Sequence, residues 1–343
     1  MQHNLSALAI PFAFAVSIAV PGAIGLGATK LPDAELSALS GAYQRAYEQG
    51  FTQAFPMTAF ARDAFTAANL ATFRQTNPDV VIGEGDWLFT IEEFQPPVAT
   101  VNFAAKLNET KKILSDQGIT LVPLVVPDKA RIYADKLPRT RGDRLDDRYA
   151  LSLDVLDRLG FAPIDLASVL NTARVHQPTF MRTDTHWSPQ GAELAALRLA
   201  DAAAIANVGS TAFETHVLAD QPFDGDLMRF VDTGRFANWV GIAAERIDLP
   251  TTTAADAGGL GLFDDAAIGI VLVGTSYSAR SEFNFEGALK AATRLDLVNL
   301  SEKGQGPFAP MAKALENGTI AQLGPQFVIW EIPERYIQTW SSE

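Results

Sequence analysis

Gly269-Ile270-Val271-Leu272-Val273-Gly274-Thr275-Ser276-Tyr277-Ser278 is the stretch on which the fold turns. Ile270 to Val273 is apolar at every position, with no polar residue on alternate sites, so both faces of this strand must be covered. Strands of that kind belong to parallel sheets packed between helices. The run stops at a Gly-led turn with a hydroxyl at its tip. In an open α/β sheet, ligands bind in the crevice outside the carboxyl ends of the strands, and Ser276 stands where a nucleophile would stand. Taken alone, Gly-Thr-Ser after a strand also reads as an ordinary turn or cap.

Working outward, other short runs rich in branched or aromatic residues read as strands: Trp87-Leu88-Phe89, Ile119 to Val126, Phe161 to Leu166, Leu295 to Leu300 and Phe327 to Ile332. Helical patterns lie between several of them. Val101 to Ser115 ends at Gly118, Arg144 to Leu159 ends at Gly160, and Pro189 to Ala206 starts after Ser188, an N-cap with proline in the first turn. Such alternation predicts an α/β fold, a largely parallel sheet covered by helices on both faces, with the strand from Ile268 to Val273 interior and flanked by those near Leu121 and Phe327. Upstream, Leu36, Leu39, Tyr43, Tyr47 and Phe51 form an amphipathic stripe within 34–74 that reads as packed scaffold. Between about Val208 and Asp265 the pattern degrades into polar, Gly-rich sequence, a surface excursion or lid. With no repeat and no linker, residues 30–343 read as one catalytic domain.

The 343 residues carry 48% apolar and 20% charged side chains, an ordinary globular composition. Forty Asp and Glu against 27 Lys and Arg give a formal charge of −13, which repels phosphate backbones and argues against a nucleic-acid partner. The absence of cysteine removes disulfides, thiolate catalysis and thiolate metal centres. The histidines, His3, His176, His186 and His216, show no zinc-binding spacing, so no metal and no cofactor is expected. From Leu5 to Thr29 no residue is charged. Residues 1–29 therefore read as a signal peptide or as an uncleaved membrane anchor, with a buried apolar hairpin as the plainer alternative.

The second informative stretch is Arg182-Thr183-Asp184-Thr185-His186-Trp187-Ser188-Pro189. In extended chain, Asp184 and His186 point to one face, whereas a helix would separate them by roughly 200°. A carboxylate on Nδ1 fixes the imidazole tautomer and leaves Nε2 free to act as base on a hydroxyl. By itself Asp-x-His is also a structural hydrogen bond. Trp87 and Trp330 lie in apolar runs and read as core, while Trp187 is open to a core or a sugar-stacking reading. Lys129, Arg131, Lys136, Arg139, Arg141, Arg144 and Arg148 are interleaved with aspartates, which favours a solvated mixed face over a polyanion groove.

These signals sit within a wider pattern: Gly83-Glu84-Gly85-Asp86-Trp87-Leu88-Phe89, then Val126-Pro127-Asp128-Lys129-Ala130-Arg131-Ile132-Tyr133, then Asp184-Thr185-His186-Trp187-Ser188, Gly274-Thr275-Ser276-Tyr277-Ser278, and Ile329-Trp330-Glu331-Ile332-Pro333-Glu334-Arg335-Tyr336. In content and order it resembles the alginate O-acetyltransferase family, exported, SGNH hydrolase-like enzymes that acetylate bacterial exopolysaccharides. The resemblance implies Ser276 as nucleophile, His186 as its base and Asp184 as the residue orienting the base, in the permuted motif order with Asp-x-His before the serine. Thr275 replaces the Asp of the Gly-Asp-Ser found in ordinary SGNH esterases. The family's carbohydrate-binding module, which follows the Trp-Glu-Ile-Pro stretch, is not expected in this chain.

The reading is then serine-dependent O-acetylation of an exopolysaccharide through an acyl-enzyme, outside the cytoplasmic membrane: periplasmic after signal cleavage, or anchored to the inner membrane. The resemblance implies a polysaccharide acceptor and a membrane-bound O-acyltransferase that supplies the acetyl group. Backbone amides at Ser276 and Tyr277 are the expected oxyanion donors, with Asn284, Arg280 and Trp187 as further oxyanion or substrate-binding candidates. Two alternatives use the same fold, a carbohydrate acetylesterase with the same triad and a non-catalytic exopolysaccharide-binding scaffold.

Overall fold

The computed structural model describes residues 16, 19–37, 39–97, 101–255 and 268–338. The chain forms two compact units, a smaller one of residues 1–76 with 231–241, and a larger one of residues 77–230 with 242–343. In the smaller unit, α1 (Ala42–Ala54) and α2 (Thr58–Phe73) are separate helices. Pro56 divides them, because a proline disfavours the helical conformation at the residue before it. The expected packed stripe is not realised: no residue of α1 is buried, and Leu36 and Leu39 are exposed. Among the described residues, no helix is long and apolar enough to cross a membrane. Most of the uncharged amino-terminal stretch lies outside the described residues.

In the larger unit, β1 (Val80–Ile82) and β2 (Leu88–Thr90) form an antiparallel pair, and α3 (Phe103–Ser115) leads to β3 (Thr120–Val126). There follow α4 (Lys129–Ile132), α5 (Asp143–Arg158), α6 (Leu166–Ala173) and α7 (Pro189–Ala202). A two-stranded antiparallel ribbon comes next, β4 (Phe213–Phe223) with β5 (Glu245–Ala254). Then β6 (Ile270–Val273) runs into α8 (Ser276–Ala279), and α9 (Phe285–Thr293), β7 (Leu297–Asn299), α10 (Phe308–Glu316), α11 (Thr319–Leu323) and β8 (Phe327–Pro333) complete the unit.

The central sheet is entirely parallel, in the order β3-β8-β6-β7. Its residues sort by parity into two cores. Val122, Leu124, Val126, Ile270, Leu272 and Ile329 face α6, α7 and α9, whereas Leu121, Val125, Val271, Val273, Val328 and Trp330 face α3, α5 and α10. Every residue of β6 is completely buried, as an apolar run without alternation demands. Each such side chain contributes roughly 1.5–3 kcal/mol relative to exposure.

Several expectations are corrected. β6 is interior, but its neighbours are β8 and β7, not β8 and β3; β8, last in the chain, inserts between β3 and β6, a crossover that no local signal encodes. Phe161 to Leu166 is not a strand: Asp165 caps α6 through the Ser168 amide, so Leu166 begins a helix. The helix expected to reach Ala206 ends at Ala202. The excursion contains the β4–β5 ribbon, and its final residues lie outside the described set. Finally, the interleaved basic segment is a solvated face only in part: Arg139 and Arg144 are exposed, but others turn inward. Arg141 and Arg148 both donate to the buried Asp128, and Arg131 donates to the buried Glu334, where β3 and β8 end. An ion so buried needs partners, and these charges supply one another's.

Candidate active site

The turn after β6 is built around a carboxylate from the next strand. Glu331, fully buried in β8, accepts hydrogen bonds from the Thr275 amide at 2.7 Å, the Thr275 hydroxyl at 3.0 Å and the Ser278 hydroxyl at 3.1 Å. Burial pushes the Glu331 carboxyl up, and those donors pull it back. Gly274 is required there, since a Cβ would stand 2.4 Å from Glu331 Oε2. Thr275 caps α8, accepting the Tyr277 amide at 3.3 Å. Although position 275 carries no carboxylate, one still organises the turn, supplied from 56 residues downstream. Ser276 is the first residue of α8 and is half-buried.

The second half is the loop before α7. Phe180 and Trp187 form an isolated antiparallel bridge, Met181 N–H donates to His186 O, and Ser188 caps α7 through the Gly191 amide at 3.0 Å. Between these fixed points, Asp184 Oδ1 lies 2.6 Å from His186 Nδ1 and accepts the His186 amide at 2.9 Å. His186 Nε2 lies 2.7 Å from Ser276 Oγ. The other carboxylate oxygen, Oδ2, accepts the Asp226 amide and Arg280 Nη1, each at 2.8 Å. Burial pushes the Asp184 carboxyl up. The hydrogen bond and charge of His186, with Arg280 and the Asp226 amide, outweigh burial and hold it well below the usual carboxylate range.

The imidazole is clamped on its faces as well. Phe283 stacks on it at 5.4 Å and 25°, and Tyr277 meets it edge-on at 4.7 Å. The Tyr277 hydroxyl donates to Thr185 O at 2.9 Å, so the ring is fixed to the loop that carries His186. Asp226 Oδ1 accepts the Thr185 amide at 2.8 Å, and Glu245 of β5 accepts the Arg182 and Thr183 amides at 2.9 and 2.7 Å. Thus the excursion between β4 and β5 ties down the Asp-x-His loop. Asp184, His186 and Asp226 each offer a ligand atom within 4.8 Å of the others. Both Asp184 oxygens and both ring nitrogens are already hydrogen-bonded, which makes the group a relay rather than a cation site.

The remaining candidates separate. Arg280 spends its guanidinium on Asp184 and Glu282, supporting the relay from behind. Asn284 donates to Thr252 Oγ1 at 2.9 Å and lines a cavity of about 440 Å³ with Gln190, Glu193, Asp248 and Phe283; Ser276 and His186 do not line it. The Tyr277 side chain points into the core, which leaves for an oxyanion only its amide, already in a 3.3 Å bond to Thr275 Oγ1. Trp187 is corrected to core: it is fully buried against Tyr277 and Phe285 and has no face to offer a sugar. Trp330 is core as expected, its Nε1 donating to Pro307 O, and Trp87 stacks on Tyr133 at 3.9 Å. Sequence reasoning passed over Glu331, Asp226, Glu245 and the support role of Arg280. Only Asp226 carried a local signal, in Asp224-Gly225-Asp226, where a Cβ on Gly225 would stand 2.1 Å from Thr183 O.

A hydroxyl, an imidazole and a carboxylate in line at the carboxyl end of a parallel sheet are the arrangement of a serine acyl-transfer site. The chain belongs to the family described as SGNH hydrolase-like domain, acetyltransferase AlgX, whose model matches residues 80–334. It is 35% identical over 315 residues to a protein of Pseudomonas putida named probable alginate O-acetylase AlgJ, covering 88% of this chain and 82% of that one. The namesake from Pseudomonas aeruginosa is 35% identical over 322 residues, covering 89% and 82%. Among solved structures, the O-acetyltransferase domain of Pseudomonas putida AlgJ superposes with a TM-score of 0.66 at 35% identity, over 76% of this chain and 92% of that one. Pseudomonas aeruginosa AlgX, at 21% identity and a TM-score of 0.61 over 77% and 63%, shares the fold. The chain is therefore an O-acetyltransferase by class.

Proposed function

We propose that this chain O-acetylates a bacterial exopolysaccharide by acetyl transfer through Ser276. The observation that carries the reading is the unbroken contact from Ser276 Oγ to His186 Nε2 at 2.7 Å and from His186 Nδ1 to Asp184 Oδ1 at 2.6 Å. Ser276 Oγ attacks the acetyl carbonyl of a donor as its proton passes to Nε2. The tetrahedral intermediate collapses, the leaving group takes that proton, and the acetyl group stays on Ser276 as an ester. A sugar hydroxyl then attacks this ester, again losing its proton to His186, and Ser276 is released. Asp184 keeps the Nδ1–H tautomer and stabilises the imidazolium formed twice per cycle. The backbone amide at Ser276 receives the oxyanion, with that of Tyr277, held otherwise only by its long 3.3 Å bond to Thr275 Oγ1, as the second donor.

Relatives named for alginate acetylation support an exopolysaccharide acceptor. An acceptor outside the cytoplasm fits the reading of residues 1–29 as an export signal or anchor and residues 30–343 as the acetyltransferase region, in the periplasm. There the acetyl group is passed across the membrane by a membrane-bound O-acyltransferase. Incubation with p-nitrophenyl acetate tests the chemistry: intact-protein mass spectrometry should show one acetyl group, on Ser276. Added oligosaccharide should then yield acetylated sugar faster than free acetate. Acetate released at the same rate with and without acceptor would make the chain an esterase.

A further inference from the structure

Lys129 takes no part in that chemistry, yet it is the one fully buried lysine among the described residues. Its ammonium has three protons and three carbonyl oxygens to receive them: Leu88 O at 2.5 Å, Arg182 O at 2.9 Å and Asp184 O at 2.9 Å. The rings of Trp87 and Phe89 flank it at 5.2 and 5.1 Å, completing a cage shaped for a pyramidal cation. Two of the three carbonyls bracket Thr183 in the loop that carries Asp184 and His186. The third belongs to β2. We propose that Lys129 is a positioning residue for acetyl transfer, fixing through these carbonyls the backbone from which the Asp184 carboxylate meets His186. This rests on the reading of Ser276, His186 and Asp184 given above.

Two features support positioning over simple stapling of the core. The carbonyl that Lys129 holds and the carboxylate that His186 needs belong to the same residue, so a backbone shift at Asp184 moves both. A misplacement of about 1 Å in a catalytic array costs on the order of 100-fold in rate. Moreover, the cage is satisfied only by the ammonium: a neutral amine has two N–H donors, and its lone pair would face the third carbonyl. The groups around it are Glu93 from the turn after β2, Glu245 of β5, and Asp184 and Asp226 beside the site, while Arg182 turns its guanidinium to the Ala243 and Asp86 carbonyls. Burial pushes Lys129 down to about 8 against the pull of those four carboxylates. Glu93 is pushed up to about 7 by burial and by the charge of Asp128.

The test measures acetylation of Ser276 by p-nitrophenyl acetate in the full chain, as a function of pH, in wild type, Lys129→Met and Ser276→Ala, with near-UV circular dichroism as the check on fold. In wild type the rate should fall as pH rises past about 8, with the fold retained. Lys129→Met should acetylate roughly 10- to 100-fold more slowly with KM unchanged, and should lack that alkaline fall. A folded Lys129→Met with a rate within about twofold of wild type overturns the proposal. If Lys129→Met does not fold, the wild-type profile decides, and a rate flat up to about pH 11 with the fold retained overturns it, because even an unshifted lysine is then mostly neutral. Acetylation of Ser276→Ala at the wild-type rate would remove the underlying reading instead.

Discussion

The two halves of the site are supported in opposite ways. The serine half hangs from a single strand-to-helix turn, and one buried carboxylate, Glu331 on the adjacent strand, receives all three of its stabilising donors. The histidine half is an irregular loop with no ladder of its own, and Lys129, Asp226, Glu245, Tyr277 and Arg280 hold it from four separate places in the chain. A regular element inherits its rigidity from the sheet, whereas a loop must be tied residue by residue. Lys129 apart, whose three bonds fix the Asp184 backbone itself, damage to one support should therefore cost more on the serine side, where no other carboxylate can take over.

The largest effect strikes where the halves meet. His186→Ala and Ser276→Ala should each lower acetylation by about 10³-fold or more, since an alcohol at neutral pH is a weak nucleophile without its base. Asp184→Asn should come next, about 10²- to 10⁴-fold down in rate. That variant also carries a pH signature. The folded carboxyl is held below its ordinary value, so its stabilisation is fully present above about pH 4 and is lost as pH falls through the folded value. The stability gap between wild type and Asp184→Asn, followed by denaturant melts, should therefore narrow below pH 4. A gap that widens there would mean the carboxylate is not paired as described.

The asymmetry itself is tested by Glu331→Gln. An amide keeps one acceptor oxygen for the Thr275 amide, turns the other position into a donor that reverses the Thr275 hydroxyl bond, and removes the negative charge the three donors share. The expected cost is about 1–3 kcal/mol in stability and on the order of tenfold in acetylation rate through misplacement of Ser276. The matching change on the other side, Arg280→Met, removes one of several ties and should cost severalfold at most by the same reasoning. If Arg280→Met slows acetylation more than Glu331→Gln, the contrast between the halves is wrong.

The same contrast explains what was legible in the sequence. Ile270 to Val273 announced a doubly covered strand because burial on both faces leaves a local trace, an apolar residue at every position. Ser276, Asp184 and His186 were legible because each sits in a short motif whose spacing is itself geometric. Glu331, Glu245 and Lys129 were not, because a buried charge looks like a surface charge until its partners are known, and those partners lie 41 to 63 residues away. The arginines that bind Asp128 and Glu334 misled for the same reason: alternating sign along the chain fits a solvated face and an interior ion network equally well. Sheet order failed similarly, since the insertion of β8 between β3 and β6 depends on the whole topology.

The smallest effect concerns two aromatic neighbours with opposite polar bookkeeping. Tyr277 and Trp187 pack edge to face at 5.1 Å, both fully buried. Tyr277 donates its hydroxyl to Thr185 O at 2.9 Å, whereas Trp187 Nε1 has no protein acceptor within reach among the described residues. Tyr277→Phe leaves the Thr185 carbonyl without that donor, and should cost about 1–2 kcal/mol together with a severalfold loss of rate, because that bond ties the ring beside His186 to its loop. Trp187→Phe opens a small cavity, at about 1 kcal/mol, but also removes a buried donor whose desolvation costs a comparable amount. These two terms oppose each other, so thermal stability should move by less than about 1 kcal/mol and acetylation by less than about twofold. A large loss of rate in Trp187→Phe with the melting temperature unchanged would show that the indole N–H has a partner in the working enzyme, and would return Trp187 from the core to the substrate side of the site.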